Sequence, residues 1–545
     1  MRRAPERLVE KPFDLLIIGG GIYGATLAWM ASSAGLTTAL IEKGDFGEAT
    51  SANTQKIIHG GMRYLQSLDL SRVMESVRER KRMLQLAPHL IDPLRCIMPI
   101  FGYGIKGKEV LTAGLSFYNL ISHSRNDGMP ASKAIPPCRV LSKADTLQLL
   151  PDLQTQGLRG SAEWHDAICM NTERMVLGFI RSAYTSGAGI ANYVLAEKIE
   201  QKNTHYVSVT CRDLIRNTNF DVVAQKVANC CGPWIRDLIK PAEAEKQLHD
   251  LHFVAGVNVI TRAIFSHSVA VGLRDPADPA SRLYFVVPWR GHSLLGTEWF
   301  AYKGNPGEFK VKEEHCAELL KGFNKAYPPA NLGLHDVQHA LGGLVPGSLN
   351  SSSTGPQLKP WNHFRLLDHS EFGQRRVVSV IGVKYTTAAG VARRVLGFLF
   401  PERYIQNYVT ATGFSIADDK PERLPGLQTR WDSVFGESQV RRIASTYGPF
   451  AEDVLKSASQ CVSISAGKDN GIDLVRGEVA YVIENEMALT LDDIVRRRTD
   501  RGTDGLPPED ELVRVADYAA SFLGWTQIYK LKEIEDLKKH YLQFN

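Results

Sequence analysis

No run of eighteen uninterrupted apolar residues occurs in the 545-residue chain, so no helix is expected to span a bilayer. The N-terminal MRRAPERLVEKPF carries charge but no apolar signal core, so no secretory leader is expected and a cytoplasmic setting is. Cysteine is scarce and unpatterned. Eight residues, none in C-x-x-C spacing, speak for reduced thiols and against a disulfide framework or a zinc site, and no metal is expected. Charge of one sign is not in excess either. Lys and Arg number 64 against 59 Asp and Glu, and a net charge of +5 argues against a nucleic-acid binder while leaving anionic substrates and lipid headgroups open. Internal repeats and long low-complexity tracts are absent, which sets aside solenoids and disordered chains.

What is present is a globular composition, 44% hydrophobic and 23% charged, long enough for two or three domains. The organising stretch is Asp14 to Glu42, DLLIIGGGIYGATLAWMASSAGLTTALIE. Leu15 to Ile18 is a continuous apolar run, as in a strand buried on both faces of a parallel sheet. Gly19, Gly21 and Gly24 follow in G-x-G-x-x-G spacing, which suits a tight turn, close backbone approach to a pyrophosphate, and helix–strand packing in turn. A second strand, Thr37 to Ile41, ends at Glu42, a carboxylate placed to accept from ribose hydroxyls. Strand, spacing and terminal acid together predict a dinucleotide site.

After Glu42, the small and hydroxyl-bearing Thr50, Ser51, Asn53 and Thr54 suit a loop around a cofactor. In IIHGGMRYL, His59 and Arg63 flank a glycine pair expected to let a ligand approach the backbone, although His59 alone also reads as structural. Residues 69–88 read as a helix whose Arg72, Arg78, Arg80, Lys81 and Arg82 form a solvated face, a membrane-binding patch being the alternative. Residues 100–150 suggest a lid or domain junction. From 157 to 235 the pattern is strands plus one helix capped by Asn171, and KVANCCGPWIRDL is a strand entering a glycine-proline turn. Alternation over 252–300 predicts antiparallel strands, and 310–327 a helix. HALGGLVPGSLNSSSTGPQLKP reads as a turn-rich border of the substrate cavity. RRVVSVIGVKYTTAAGVARRVLGFL is a second strand-glycine-helix element in which Gly382 starts a helix, and 405–545 reads as a separate helical domain.

DLLIIGGGIYGA, KIIHGGMRYL, VANCCGPW, FVVPW with LLGTEW, YKGNP, VIGVKYTTAAGVA and ENEMALTLDDIVRRRTDRG together resemble the FAD-dependent, respiratory, quinone-linked glycerol-3-phosphate dehydrogenase family over nearly the whole chain. The resemblance implies an α/β fold. A Rossmann-like FAD domain of the glutathione-reductase type (about 12–100, 157–235, 360–404) would interleave with an antiparallel-sheet substrate domain (about 100–156, 236–359). A C-terminal α-helical cap (405–545) would follow. It also implies oxidation of a secondary alcohol, with hydride passing to flavin N5, a base taking the hydroxyl proton, and electrons leaving to quinone or another acceptor. A peripheral contact with the cytoplasmic membrane is implied, and a homodimer is compatible with it.

Carried over by position, the implied catalytic residues are His59, Arg63 and Lys384, with Tyr64, Asn258, Val345 and Thr387 joining Arg63 and Lys384 around the substrate. Implied cofactor contacts begin with Gly19, Gly21, Ile22, Tyr23, Gly24, Glu42 and Lys43. Thr50, Ser51, Gln55, Ile57, His59 and Gly60 continue them, and Gly232, Trp234, Gly382, Lys384, Tyr385 and Thr386 complete the set. The departures lie on the substrate side. The family's G-V-R-P is Gly343-Leu344-Val345-Pro346 here, a family histidine aligns with Asn258, and G-T-T-D reads Gly296-Thr297-Glu298-Trp299. Losing an arginine that meets a phosphate costs about 1.5–3 kcal/mol of binding, so a less charged or larger polyol derivative is expected. Arg290, His292 and Arg365 are candidates for a displaced cation. The rival readings are an oxygen-using flavin oxidase of a hydroxy or amino substrate and a flavin-binding homologue with altered chemistry.

Overall fold

The computed structural model describes residues 1–65, 68–102, 107–278, 281–352, 355–402, 423–461 and 473–541. The apolar run forms strand β1 (Phe13–Ile18), buried along nearly its whole length because it is paired on both edges. Strand β2 (Thr38–Ile41) lies parallel to it on one side and Thr218–Asn229 parallel on the other, with Leu15 opposite both Thr38 and Lys226. The sheet continues through Gly189–Ala191 at one end and Val377–Ile381 and Arg365–Asp368 at the other. Helix α1 (Ile22–Ser33) is apolar all round, as a helix covered on every side must be. It packs against Thr172–Thr185 and Ala388–Leu399, with the Trp29 and Phe179 ring centroids 5.2 Å apart. Asn171 caps the middle helix as expected, its side chain accepting the Arg174 N–H at 2.8 Å.

Among the described residues a second sheet has ten strands and is built mainly from antiparallel pairs. His252–Thr261 lies between His292–Tyr302 and Val337–Ser352, and the ladder slips by one residue between Val257 and Asn258. The same sheet takes in Ile57–Ile58, Ile91–Phe101 and Leu158–Cys169, segments assigned above largely to the cofactor part. The stretch read as turn-rich is a hairpin, Val337–Ser352 paired with Gly355–Pro360. Its glycines serve close packing rather than turning. A side chain at Gly342 would collide with Val311, and one at Gly343 would come within 3.1 Å of Thr50.

Six helices, Arg423–Phe435, Glu437–Tyr447, Ala451–Gln460, Leu474–Glu486, Glu509–Leu523 and Gln527–Lys538, enclose a core of their own that includes Tyr447, Val479, Ile494 and Val515. The parts of the helical expectation that fall on 405–422, 462–472 and 542–545 lie outside the described residues. Among the described residues no helix is long and apolar enough to cross a membrane.

Candidate active site

From β1 the chain turns through Gly19, held at φ 107°. A Cβ there would lie 2.5 Å from the Cys230 carbonyl oxygen, and one at Gly24 would collide with the Gly19 carbonyl, so both positions need glycine for packing. Gly21 differs. Among the described residues only Ser51 Oγ, at 3.2 Å, stands near the place its side chain would take. Helix α1 starts there without a side-chain cap from Gly21, and Ser51 Oγ accepts the Ile22 N–H at 2.9 Å. Open backbone beside a helix N-terminus is the geometry a pyrophosphate requires. Glu42 stands at the end of β2 and accepts from the Gly20 N–H at 2.6 Å and the Gly44 N–H at 2.9 Å. Burial pushes its carboxyl above the usual range, against the pull of those bonds.

Tyr23 joins this turn to the second one. Its hydroxyl donates to the Lys384 carbonyl (2.7 Å) and accepts from the Val383 and Lys384 N–H groups (2.9 and 2.8 Å). Gly382 is glycine because the Tyr23 ring fills the place of its side chain. The helix expected to begin at Gly382 begins at Ala388, after a single tight turn over Tyr385–Thr387. Tyr385 donates to the Thr172 carbonyl at 2.8 Å, Thr386 is buried, and Thr387 Oγ1 donates to the Lys384 carbonyl at 3.2 Å.

The Lys384 ammonium contacts the Tyr64 hydroxyl and lies 4.3 Å from the centre of its ring. The guanidinium carbons of Arg63 and Arg72 lie 5.5 and 5.2 Å from the same ring. Burial raises the Tyr64 phenol, yet Lys384 and Arg63 outweigh it and hold the group below its ordinary value. Three cations around one phenol concentrate positive charge, and guanidinium and ammonium groups are chemically suited to hold an anion. Arg63 is exposed beside the Tyr64 ring. Arg72 is braced by Asp69 (3.0 Å) and His363 (2.9 Å).

The loop after Glu42 connects the glycine turn to the second sheet. Thr50 Oγ1 donates to the Leu344 carbonyl at 2.9 Å, and Gln55 Nε2 to the Gly296 and Phe285 carbonyls at 3.0 and 3.3 Å. Val345 is two residues from Gly343, whose missing side chain points at Thr50, so strand alternation puts Val345 on the loop-facing side. Asn258 Oδ1 accepts from Thr297 Oγ1 at 2.6 Å, and the Trp299 ring covers Gly256. Lys43 sits 3.7 Å above the Trp234 ring, and Gly232 turns at φ 54°. Ile57 is a core residue paired with Ile168.

His59 is exposed but not loose. Its Nδ1 lies 3.1 Å from Asp166 Oδ2, and the buried Asp166 also accepts from the Gly60 N–H (2.6 Å), Trp164 Nε1 (3.2 Å) and Arg80 Nη1 (3.3 Å). Burial would raise the Asp166 carboxyl, but His59 and Arg80 prevail and hold it at about 2.

Residues 14–395 match the family described as FAD dependent oxidoreductase, and residues 419–530 match the C-terminal domain of alpha-glycerophosphate oxidase. The chain is 28% identical to glycerol-3-phosphate dehydrogenase of Synechocystis over 98% of its own length and 97% of that protein's. It is 30% identical to the mitochondrial glycerol-3-phosphate dehydrogenase of Mesocricetus auratus, over 97% of this chain and 73% of the relative. The chain belongs to the FAD-dependent glycerol-3-phosphate dehydrogenase family. Its fold is shared by the FAD complex of the Bacillus halodurans glycerol-3-phosphate dehydrogenase, with a TM-score of 0.72, 22% identity, and 98% and 95% of the two chains covered.

FAD is therefore the cofactor of this oxidoreductase, and the open backbone at Gly21, the helix N-terminus and the Glu42 carboxylate fit its adenosine diphosphate portion. Three expectations are corrected at the residues. Arg80 is buried against His165 and Asp166 instead of solvated, because its side of the helix Leu70–Leu86 packs inward, while Arg78 stays exposed. Gly60 makes room for Arg80 and Tyr118, and Gly61 for Ser76 and Val73, so this glycine pair serves protein packing. Arg290 pairs with Asp500, and Arg365 with Asp250 over the Trp361 ring, so neither supplies a displaced cation. Sequence reasoning missed Asp166 as the partner of His59, and Arg72 beside Tyr64. Asp166 sits in an ordinary strand pattern, and no local signal marks it.

Proposed function

We propose that the enzyme oxidises the secondary alcohol of glycerol 3-phosphate, or of a related polyol phosphate, to the ketone. The observation that carries the reading is the cationic cluster of Lys384, Arg63 and Arg72 around Tyr64, tied through the Lys384 backbone to the FAD turn. Bound FAD supplies the two-electron acceptor for the hydride. Arg63 and Lys384 hold the anionic end, and His59, which precedes the short helix Met62–Leu65 that carries Arg63, takes the hydroxyl proton. Val345 supplies no charge where relatives of this kind carry arginine, so phosphate is held more weakly and the site takes larger polyol phosphates as well. We place the electron acceptor as quinone at a membrane surface. Val110, Phe117 and Leu120 form an exposed apolar stripe on Lys108–Ile121 that suits a peripheral contact.

Anaerobic bleaching of the flavin by a panel of polyols and their phosphates tests the reaction. Glycerol 3-phosphate or a close phosphate analogue is expected to bleach it and glycerol is not; a flavin bleached by none of them, or equally by unphosphorylated polyols, removes the proposal. A second reading, oxygen as acceptor, draws on the resemblance to alpha-glycerophosphate oxidase of Streptococcus pyogenes, 33% identical over 63% of this chain and 56% of that protein. Hydrogen peroxide in stoichiometric yield would decide for it.

A further inference from the structure

Asp166 is 4% exposed in the middle of Leu158–Cys169, facing Leu94 across the ladder. A carboxylate there needs donors to remain ionised, and Arg80, the Gly60 N–H and Trp164 Nε1 already provide them. His59 is the partner that burial does not explain. Its side chain is 56% exposed and could be solvated in any rotamer, yet it is held at 3.1 Å.

We infer that Asp166 is a positioning residue for His59, accepting its Nδ1–H and so leaving Nε2 bare to receive the substrate's hydroxyl proton. This rests on the proposed oxidation, in which the carbinol C–H bond breaks with both electrons going to FAD as hydride. The O–H bond breaks with its proton going to Nε2, and the electron pair left on oxygen closes the C=O bond. The imidazolium so formed faces a fixed carboxylate, the orientation logic of a histidine–aspartate pair. Gly60 belongs to the device as well, since its N–H holds Asp166 and its missing side chain admits Arg80. The ionisable groups facing Asp166 are His59, Arg80, Tyr118, Cys96 and Cys138. Burial pushes Tyr118 to about 12, Cys138 to about 11 and Cys96 upward, so these three stay uncharged at neutral pH.

The test uses the full-length flavin-loaded Asp166→Asn variant. An asparagine amide can donate to Nδ1, which leaves Nε2 protonated and unable to act as base. Flavin content and KM are expected to stay within about twofold, while anaerobic bleaching by glycerol 3-phosphate slows about 100-fold or more. The residual rate is expected to climb with pH, about tenfold per unit, as hydroxide replaces the lost base. Because Arg80 would be left beside a neutral amide, the double variant Asp166→Asn, Arg80→Met removes that buried cation too and should show the same loss. Carbethoxylation of His59 by diethyl pyrocarbonate, followed by peptide mass spectrometry at pH 8, needs no substrate and should slow about tenfold in both variants. A variant with full flavin, bleached and carbethoxylated at the parent rates, overturns the inference. A parent enzyme that glycerol 3-phosphate does not bleach counts against the proposed reaction instead, and the carbethoxylation rates still decide the role of Asp166.

Discussion

Glu42 and Asp45 are three residues apart, and they belong to two regions held together by opposite means. Glu42 completes the FAD turn, where the fit is made by close packing, backbone against backbone at Gly19 and Gly24 and the Tyr23 ring against Gly382, and Glu42 accepts two backbone N–H groups. Asp45 anchors the junction with the C-terminal helices. Its carboxylate receives Arg497 Nε at 2.6 Å, both terminal nitrogens of Arg498 at 2.7 Å, and Asn192 Nδ2 at 3.1 Å, all of these groups buried. Two consecutive arginines reach one carboxylate because Asp493–Arg498 is wound as a wide π-type turn. Arg174 and Arg181 meet Glu486 across the same junction. The first region tolerates no added atom at Gly19, Gly24 or Gly382; the second leaves an unpaired buried ion if one partner goes.

The sharpest test of the difference is Gly24→Val. Its side chain has nowhere to go but into the Gly19 carbonyl, and a clash of that kind costs more than about 4 kcal/mol. The variant is expected to be purified without flavin, or not at all, whereas Gly21→Ala should fold and only weaken FAD binding. A flavin-replete Gly24→Val protein would break the packing account of the turn.

Asp45→Ala comes next. It leaves Arg498 buried without its carboxylate, while Arg497 keeps Asp492 and Asp493, a loss of about 3–5 kcal/mol, read as a lower Tm for the C-terminal helices. Adding Arg498→Met should recover part of it. If Asp45→Ala costs no more than a surface substitution, the junction is not held by charge.

Tyr23→Phe is the milder probe of the turn. Removing the hydroxyl strands two N–H donors and one carbonyl at residues 383–384, worth about 1–3 kcal/mol. The effect should show in flavin retention on dialysis and leave the acid sensitivity of the fold unchanged. Loss of acid resistance without loss of flavin would place Tyr23 in the wrong region.

The contrast also explains what the sequence discloses. The FAD turn is legible because its parts are neighbours: the fingerprint glycines, the apolar strand and Glu42 fall within one βαβ unit. Asp45 and Arg498 are separated by 453 positions, His59 and Asp166 by 107, and a single chain carries no mark of such pairings. Arg80 misleads for a related reason, since a basic residue in a basic helix reads as solvated until the strand carrying Asp166 is laid beside it. The hairpin Val337–Ser352 was obscured by its own glycines, which are there so that Phe309, Val311 and Thr50 can approach. Lys384 and Tyr64 were legible only through the family's motifs, and their contact through neither pattern nor spacing.

Glu48 lies between the two regions and gives the most gradual and most discriminating effect. Its carboxyl accepts the Asp45 N–H at 3.0 Å. Burial, with the nearby Glu42 and Asp45 charges adding and Arg497 opposing, pushes it from 4.5 up to about 7. The folded state therefore holds this proton more tightly than the unfolded chain, so its contribution to stability is complete below pH 4.5 and is lost as pH rises through about 7. Asp45 runs the other way. Arg498 and Arg497 overcome its burial and hold it at about 2 against an ordinary 3.8, so its contribution is present above pH 3.8 and lost as pH falls through about 2. Glu48→Gln removes the first dependence and keeps the second. The decline in stability between pH 4.5 and 7, at most about 1.4 kcal/mol per pH unit and read as a falling Tm, should flatten in the variant while the acid-side loss stays where it was. A slope that persists after Glu48→Gln would assign the neutral-pH titration to another group and leave Asp45 as the pH-sensitive element of the junction.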